Sequence, residues 1–455
     1  MTDWATYWTA QAVVEATRGR LFGEAFCAKR VITDSRAVQA GDLFVALNGE
    51  NFQGVRFVEQ ARARGAVAVV VEHYQADCAL SQVVVEDTLL ALGQLAHARR
   101  MQSTAKVLAI TGTNGKTSSK EMLKAILSAK GQTLATQGNF NNAVGMPLTL
   151  LQLTPAHEFV VVEMGANHAG EIAYLCDLAR PEAVAVTNVS EAHLAGFGDY
   201  EAVVRAKEEI YAHSAGVMVV NLDLPCAPRW LERFSGREVV RFSLQEKAEI
   251  YASEIQDNGR VFTLWVNGVP FAVQWQLEGV HNISNALTAC ALAYAVGVLG
   301  EKMAQALSGL TLKQARLSAY EFGVHRVYDD TYNANPASFK AGIEVIKTAK
   351  NALVIAGDMG ELGEHAAYLH AQVGAYAREC GVAGFWCVGA FAKDYGRGFG
   401  EKACEFANQQ DLAVALAQLL QHQQPYTVLV KGSRSAKMER VLALAGLDFS
   451  DKAGE

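Results

Sequence analysis

The sequence predicts an α/β protein of three domains, and three observations carry that prediction. Short, nearly continuous apolar runs alternate with segments whose apolar residues recur at helical spacing, as parallel strands joined by helices do. A β-rich run at residues 107–110 passes directly into a polar, glycine-bearing turn and then into a helical segment. After a break at residues 313–318 the same alternation starts again. At about 100 to 200 residues per domain, the 455 residues divide as 1–102, 103–313 and 314–455.

The first division reads as a small α/β unit. Apolar strands at 43–47 and 67–71 alternate with helical stretches such as 57–64, and a polar helical segment at 91–102 leads out of it. In the second, the runs 107–110, 159–163, 183–189 and 217–221 are apolar almost throughout. Strands buried on both faces read this way, so a mostly parallel sheet with helices on both faces is expected. Residues 118–130 carry Met122, Leu123, Ile126 and Leu127 at helical spacing and stop at Gly131, a residue suited to a left-handed cap. Residues 250–276 alternate like antiparallel strands with a turn at Asn267-Gly268, and an alanine-rich helix follows at 282–296. In the third division, strands at 324–329, 352–356, 384–388 and 427–430 alternate with helices, which predicts an open, Rossmann-like sheet.

Composition narrows the function classes. The net charge is -7 with both signs interspersed, and no Lys/Arg stripe marks a nucleic-acid footprint, so no nucleic-acid partner is expected. Residues 1–10 lack the apolar core of a secretory signal, and no apolar run is long enough for a bilayer, so membrane insertion is not expected. Eight cysteines lie scattered without CxxC or Cys/His spacing, which suits reduced core thiols in a cytoplasmic protein.

The strongest local signal is Gly112-Thr113-Asn114-Gly115-Lys116-Thr117, between a predicted strand and a predicted helix. Glycines let backbone N–H groups close around phosphate oxygens, Lys116 reaches the outer phosphates and the Thr117 hydroxyl can ligate Mg²⁺, so this is a P-loop for Mg·ATP. Ile110 stands where the longer form of the motif has its first glycine, so the match is to a shorter variant. Glu163 ends an apolar strand, where a carboxylate points into a ligand crevice and can hold Mg²⁺, although many such acids only face solvent. A lone His193 is more often a hydrogen-bonded structural residue, and a helical Lys207 is usually solvated or paired. Asn139-Phe140-Asn141-Asn142 gathers amides that either bind sugars and phosphates or make Asx turns. Asn282 either caps the alanine-rich helix or contacts nucleotide. In the third division Asp330-Thr331-Tyr332-Asn333-Ala334-Asn335-Pro336 follows a strand, with Asn335 as cap and Pro336 at the first helical position. Gly357-Asp358-Met359-Gly360-Glu361-Leu362-Gly363 and Lys431-Gly432-Ser433-Arg434 follow two more, so one crevice at the carboxyl edge is predicted.

Taken in order, Gly112 to Thr117, Glu163, Asn188 with His193, Lys207, and His281-Asn282 with Asn285 resemble the Mur ligase family, the ATP-dependent ligases of peptidoglycan precursor synthesis. The resemblance runs over residues 33–435. Thr33-Asp34-Ser35-Arg36 and Gly41-Asp42-Leu43-Phe44-Val45-Ala46-Leu47 are similar to the family's uridine-binding domain. The third-division motifs are similar to those of members that join D-alanyl-D-alanine to UDP-N-acetylmuramoyl-tripeptide, and the Asp-Asn-Pro-Arg motif of members adding the third residue is absent. The resemblance implies these two substrates, ATP, two Mg²⁺ sites and amide formation through an acyl phosphate. It implies Lys116, Glu163, His193 and Lys207 as catalytic residues, Thr117 and Glu163 on one Mg²⁺, and His193 with a carbamylated Lys207 on a second. Gly112, Thr113, Asn114, Gly115, Lys116, Thr117, Asn282, Arg316 and Asp330 are implied at the nucleotide. Ser35, Arg36, Asn139, Asn142, Asn333 and Asn335 are implied at the other substrates. Domain closure would complete the site, which a monomer can accomplish. Two departures stand out: Val55 where many relatives carry histidine, and Ala315 before Arg316 where relatives often carry glycine.

Other readings share the central fold. A folylpolyglutamate synthase or cyanophycin-type ligase uses the same acyl phosphate chemistry, and the Ser35-Arg36 domain argues against the first. A non-catalytic nucleotide-binding relic would have lost one of Lys116, Glu163, His193 or Lys207, and all four are present.

Overall fold

The apolar runs become the inner strands of three sheets in a computed structural model that describes residues 8–49, 52–190, 194–310 and 317–447. The amino-terminal sheet runs Arg20–Phe22, Ser81–Val84, Ala68–Val71, Leu43–Val45, Val31–Ile32, parallel except at its Arg20–Phe22 edge. Helix Thr88–Gln102, capped by the Asp87 carboxylate accepting from the Leu90 N–H at 2.8 Å, leads to the next sheet.

Among the described residues the central sheet has nine strands, in the order Thr133–Ala135, Phe159–Glu163, Lys106–Thr111, Ala183–Val186, Val217–Asn221, Val239–Ser243, Ile250–Gln256, Val261–Val266, Val269–Gln274. Alternate residues of its inner strands enter different cores. Val107, Ala109, Val160 and Val162 face one helical layer, whereas Leu108, Ile110 and Val161 face the other. Each such buried aliphatic side chain contributes about 1.5–3 kcal/mol, which is why both faces must be covered. Residues 250–276 form three strands with the expected turn, where Asn267 and Gly268 have φ of 47° and 80°. They are not a separate antiparallel unit, because Ile250 pairs in parallel with Phe242 and continues the main sheet.

The third sheet runs Ser318–Phe322, His325–Asp330, Thr427–Lys431, Ala352–Ala356, Gly384–Val388, Ala403–Phe406, parallel beyond its first strand. Asn335 caps helix Pro336–Ile346 in a reciprocal box with Ser338, and Pro336 takes the first turn, as expected.

Three local expectations are corrected. The run 183–189 leaves the sheet at Val186, because Thr187 and Asn188 turn onto the loop at 112–117. Helix Lys116–Ser128 ends at right-handed Ala129, and Gly131 has no positive φ. A Cβ there would meet only the Glu158 carboxyl, at 2.5 Å, and that end of an exposed side chain can move aside, so neither backbone nor space demands glycine at this position. The alanine-rich helix starts at Val280 with Gly279 (φ 91°) as its cap, so Asn282 sits inside its first turn. The break at 313–318 falls mostly outside the described residues.

Central and third sheets are joined through Glu278, which is buried. Arg326 Nη2 donates to its Oε1 at 2.5 Å, the Tyr328 hydroxyl to its Oε2 at 2.5 Å, and Asn258 Nδ2 to Oε2 at 3.2 Å. Removing a carboxylate so bonded costs roughly 2–3 kcal/mol. Glu278→Ala is therefore expected to lower the melting temperature and split the calorimetric endotherm into two transitions; a single unshifted endotherm would show that the junction holds without this residue.

Candidate active site

Register places the site. Ile110 pairs with Glu163 on one side and Thr111 with Val186 on the other, so the loop at 112–117 leaves the sheet between Glu163 and Thr187. Gly112 turns with φ 142°, and a Cβ there would lie 2.0 Å from Thr187 Oγ1. Gly115 has φ 77°, and its Cβ would lie 2.0 Å from Asn285 Oδ1, so helix Val280–Ala295 packs directly on the loop. The loop is pinned from the neighbouring strand end. Asn114 N–H donates to Asn188 Oδ1 at 2.9 Å, and the Asn114 carbonyl accepts from Thr187 Oγ1 at 2.6 Å and Asn188 Nδ2 at 3.0 Å. Lys116 opens helix Lys116–Ser128 and its Nζ donates to the carbonyls of Gly112 and Thr113 at 2.8 and 3.0 Å.

Beneath the loop, Thr117 Oγ1 donates to Glu163 Oε2 at 2.7 Å, and Asn141 Nδ2 donates to Oε1 at 2.8 Å. Both Thr117 and Glu163 are buried. Hard oxygen donors with one carboxylate suit Mg²⁺, which typically takes one or two carboxylates and completes its shell with phosphate and water. Among the described residues no group of three or more His, Cys, Asp or Glu is gathered as a protein-only metal cage. Lys207, on helix Tyr200–Ala212, is 2% exposed beside the Phe197 ring. Burial, reinforced by the like charge of Lys116, pushes its amine down to about 7. The usual solvated helix lysine is thereby ruled out at this position.

The third sheet brings its loops to the same place. Asn335 Nδ2 donates to Asn114 Oδ1 at 2.7 Å and Asn114 Nδ2 to Asn335 Oδ1 at 3.2 Å, a reciprocal amide pair between the two domains. Lys431 Nζ donates to Asp330 Oδ2 at 2.5 Å and to the Asn333 carbonyl at 3.0 Å, and Asn333 Oδ1 accepts from the Arg434 N–H at 3.4 Å. Three strand ends thus meet in one crevice.

Other expected residues stand apart. Ser35 Oγ donates to Gln60 Oε1 at 2.7 Å, and Arg36 pairs with Asp34 at 2.8 Å, both in the amino-terminal domain. Among the described residues no hydrogen bond ties them to the loop at 112–117. A small cleft of about 40 Å³ opens at the carboxyl ends of Leu43–Val45 and Ala68–Val71, lined by Val55, Asn48, Glu72 and His73. Asn142 Oδ1 accepts from the N–H groups of Val144 and Gly145, which is the Asx-turn reading, and Asn139 is exposed. Asn282 Nδ2 donates to the Glu278 carbonyl. His193 and Arg316 lie outside the described residues.

Two contributors were not singled out from sequence. Asn141 is the amide of its loop that reaches Glu163, and nothing in the run distinguishes it from its neighbours. Lys120 is fully buried, donating to the Thr136 carbonyl at 2.6 Å, while Thr136 Oγ1 accepts from the Glu163 N–H at 3.1 Å. Its position three and seven residues before Leu123 and Leu127 put it on the apolar stripe, a signal that could have marked it.

A P-loop over a strand-end carboxylate, completed by loops of a second α/β domain, is the arrangement of a nucleotide-dependent enzyme whose site two domains share. The chain belongs to the Mur ligase family. Family models match at residues 29–100 (Mur ligase family, catalytic domain), 110–293 (Mur ligase middle domain) and 316–434 (Mur ligase, glutamate ligase domain). The UDP-N-acetylmuramoyl-tripeptide--D-alanyl-D-alanine ligase of Escherichia coli (strain K12) is 40% identical over 95% of this chain and 97% of that one. Its Bacillus subtilis (strain 168) counterpart is 30% identical over 95% and 97%. A crystal structure of MurF from Acinetobacter baumannii superposes with a TM-score of 0.92 at 36% identity, covering 97% of this chain and 99% of that one. MurF ligase from Thermotoga maritima in complex with ADP superposes at 0.82 with 26% identity, covering 92% and 97%.

Gly112→Ala places a methyl against Thr187 in a backbone conformation that L residues rarely adopt. ATP affinity, read by isothermal titration calorimetry, is expected to fall about 100-fold, the scale of a displaced positioning group. Unchanged affinity would mean that the phosphates do not sit on this loop.

Proposed function

We propose that this chain joins D-alanyl-D-alanine to UDP-N-acetylmuramoyl-tripeptide, converting ATP to ADP and phosphate. The observation that carries this reading is the 40% identity, along nearly the full length of both chains, with a ligase named for those substrates. Likeness to the Mycobacterium tuberculosis folylpolyglutamate synthase, at 17% identity and a TM-score of 0.63, extends to the fold alone.

The chemistry runs in two displacements. A carboxylate oxygen of the tripeptide attacks the γ-phosphorus of ATP; the bond to the β,γ-bridging oxygen breaks, and ADP leaves. The dipeptide amine then attacks the acyl carbon, loses a proton, and inorganic phosphate departs with the former carboxylate oxygen. Phosphoryl transfer of this kind depends on positioning and charge stabilisation more than on covalent help from the protein. Backbone N–H groups of Gly112 to Thr117 would cradle the nucleotide phosphates, and Lys116 would leave the loop carbonyls for the γ-phosphate. Thr117 and Glu163 would hold Mg²⁺, which when bound neutralises phosphate charge. Asn141 holds the Glu163 carboxylate, while Thr136, itself held by Lys120, accepts from the Glu163 backbone N–H. Asn282, Arg316 and Asp330 are assigned to the nucleotide; Ser35, Arg36, Asn139, Asn142, Asn333 and Asn335 to the two other substrates. We further assign the cytoplasm, and a monomer, as the working state. No helix among the described residues is long and apolar enough to cross a membrane.

Lys207 supports a second assignment. An amine pushed down to about 7 is about half uncharged near neutrality and can attack CO₂, losing a proton to give a carbamate. That converts a cation into the oxygen donor a second Mg²⁺ needs beside His193, whereas the ammonium form would repel it.

Purified protein with ATP, Mg²⁺ and UDP-N-acetylmuramoyl-tripeptide is expected to release phosphate only when D-alanyl-D-alanine is added, with the pentapeptide product identified by mass. Nucleotide binding without dipeptide-dependent turnover would sink the assignment. Lys207→Ala should lower kcat about 100-fold, the loss typical of one charge-stabilising group. Wild-type protein exchanged into CO₂-free buffer should lose activity and regain it with bicarbonate, with a ¹³C carbamate resonance appearing from labelled bicarbonate. Activity indifferent to CO₂, with no such resonance, would remove the carbamate.

A further inference from the structure

The loop at 357–363 follows strand Ala352–Ala356 and borders the crevice, yet its conformation is fixed from behind by a residue no role has been given. His370, on helix Ala366–Glu379, is fully buried. Its Nε2 accepts the Met359 N–H at 2.9 Å, and its Nδ1 lies 2.6 Å from the Ala366 carbonyl. A carbonyl only accepts and an amide N–H only donates, so both bonds exist together in one species: neutral imidazole with its proton on Nδ1. The imidazolium would set an Nε2–H against the Met359 N–H. The ring is clamped by Phe391, stacked at 4.5 Å, and by Tyr395, edge-on at 4.7 Å.

The rest of the loop is held with equal definition. Tyr395 donates its hydroxyl proton to the Gly357 carbonyl at 3.1 Å. The Asp358 carboxylate accepts the N–H groups of Ala390 and Phe391 at 2.8 and 3.0 Å, so this acid is spent on structure. The loop then passes through Glu361 at φ 62° and Gly363 at φ 58° into the turn Gly363–His365. That turn packs on helix Leu194–Phe197 of the central domain, whose Phe197 ring lies 5.7 Å from the Lys207 amine. The loop therefore reaches the central domain beside Lys207.

We propose that His370 is a positioning residue: as the neutral Nδ1–H tautomer it holds the loop at 357–363 in the shape that receives the attacking amine at the acyl phosphate. This rests on the ligase reading above. The assignment to the amine follows from place, since the phosphates belong to the loop at 112–117 and the third domain supplies the wall opposite. Asp358 and Asp394 are the charged groups facing the ring and favour its protonation, but burial outweighs them and pushes the imidazole below its ordinary range. The unfolded chain therefore takes up this proton more readily than the folded one. Stability from this contact is present above the ordinary imidazole range and is lost as the pH falls through and below it.

The test uses the full chain with ¹⁵N-histidine labelling, the His370 resonances being assigned by their loss in His370→Gln. At pH 7.5 a protonated Nδ1 and bare Nε2 are expected; the Nε2–H tautomer or an imidazolium would overturn the proposal. His370→Leu, which removes the acceptor, should raise the KM for D-alanyl-D-alanine about 10-fold or more while the KM for ATP stays within about 2-fold, since displacement of a positioning loop costs up to roughly 100-fold. His370→Gln keeps an acceptor near the same place and should recover most of that loss, without the wild-type fall in kcat/KM for the dipeptide on the acid side. Equal increases in both KM values, or a dipeptide KM unmoved in folded His370→Leu, would reject the role. If His370→Leu does not fold, the resonances and His370→Gln decide alone. Wild-type protein lacking dipeptide-dependent turnover would instead reject the ligase reading, leaving the tautomer measurement standing.

Discussion

Strand Lys106–Thr111 lies between two parallel neighbours, and its register with them sets the position of everything that follows. Ile110 opposite Glu163 and Thr111 opposite Val186 mean that the chain emerges between a carboxylate and a hydroxyl-amide pair. A slip of one residue would exchange the two faces of the strand, sending Ile110 and Leu108 into the wrong helical layer. Burial of both faces therefore fixes the register, and the register delivers Thr117 to Glu163 at hydrogen-bond distance. Packing in the core and chemistry at the loop are in this sense one constraint.

Much of this was legible in the amino-acid sequence, for physical reasons. Strands buried on both sides must be apolar throughout, so 107–110, 159–163 and 352–356 announce themselves, and the Asn335-Pro336 pair marks a helix start because cap and first-turn requirements are local. Legibility fails where the deciding contact is remote. Asn141, and neither Asn139 nor Asn142, meets Glu163 because of the path of one loop, which carries no periodicity. Glu278 bonds Tyr328 fifty residues onward, and neither residue type announces the other. Lys120 sat in plain view on an apolar stripe, but a lysine in that pattern reads as an exception rather than as a buried donor.

Several polar residues of the crevice turn out to be committed to holding one another. Asp330 is bound to Lys431, Asp358 to the turn at Ala390, and Asn142 to its own loop. A site that must order two substrates and a nucleotide gains from such preorganisation, since groups already fixed lose no further freedom on binding. The same economy explains why buried donors such as Lys120 sit behind the working residues: they restrain atoms that would otherwise wander.

The two contacts between the central and third domains differ in kind. Around Glu278 the bond is ionic, buried and shared among three partners; at Asn114 and Asn335 it is a pair of neutral amides. Salt weakens exposed charge pairs yet barely affects a buried one or a neutral amide, so both contacts hold across ionic conditions. A neutral amide pair also parts without leaving a charge unpaired, and without it the loop at 112–117 keeps its bonds to Thr187 and Asn188.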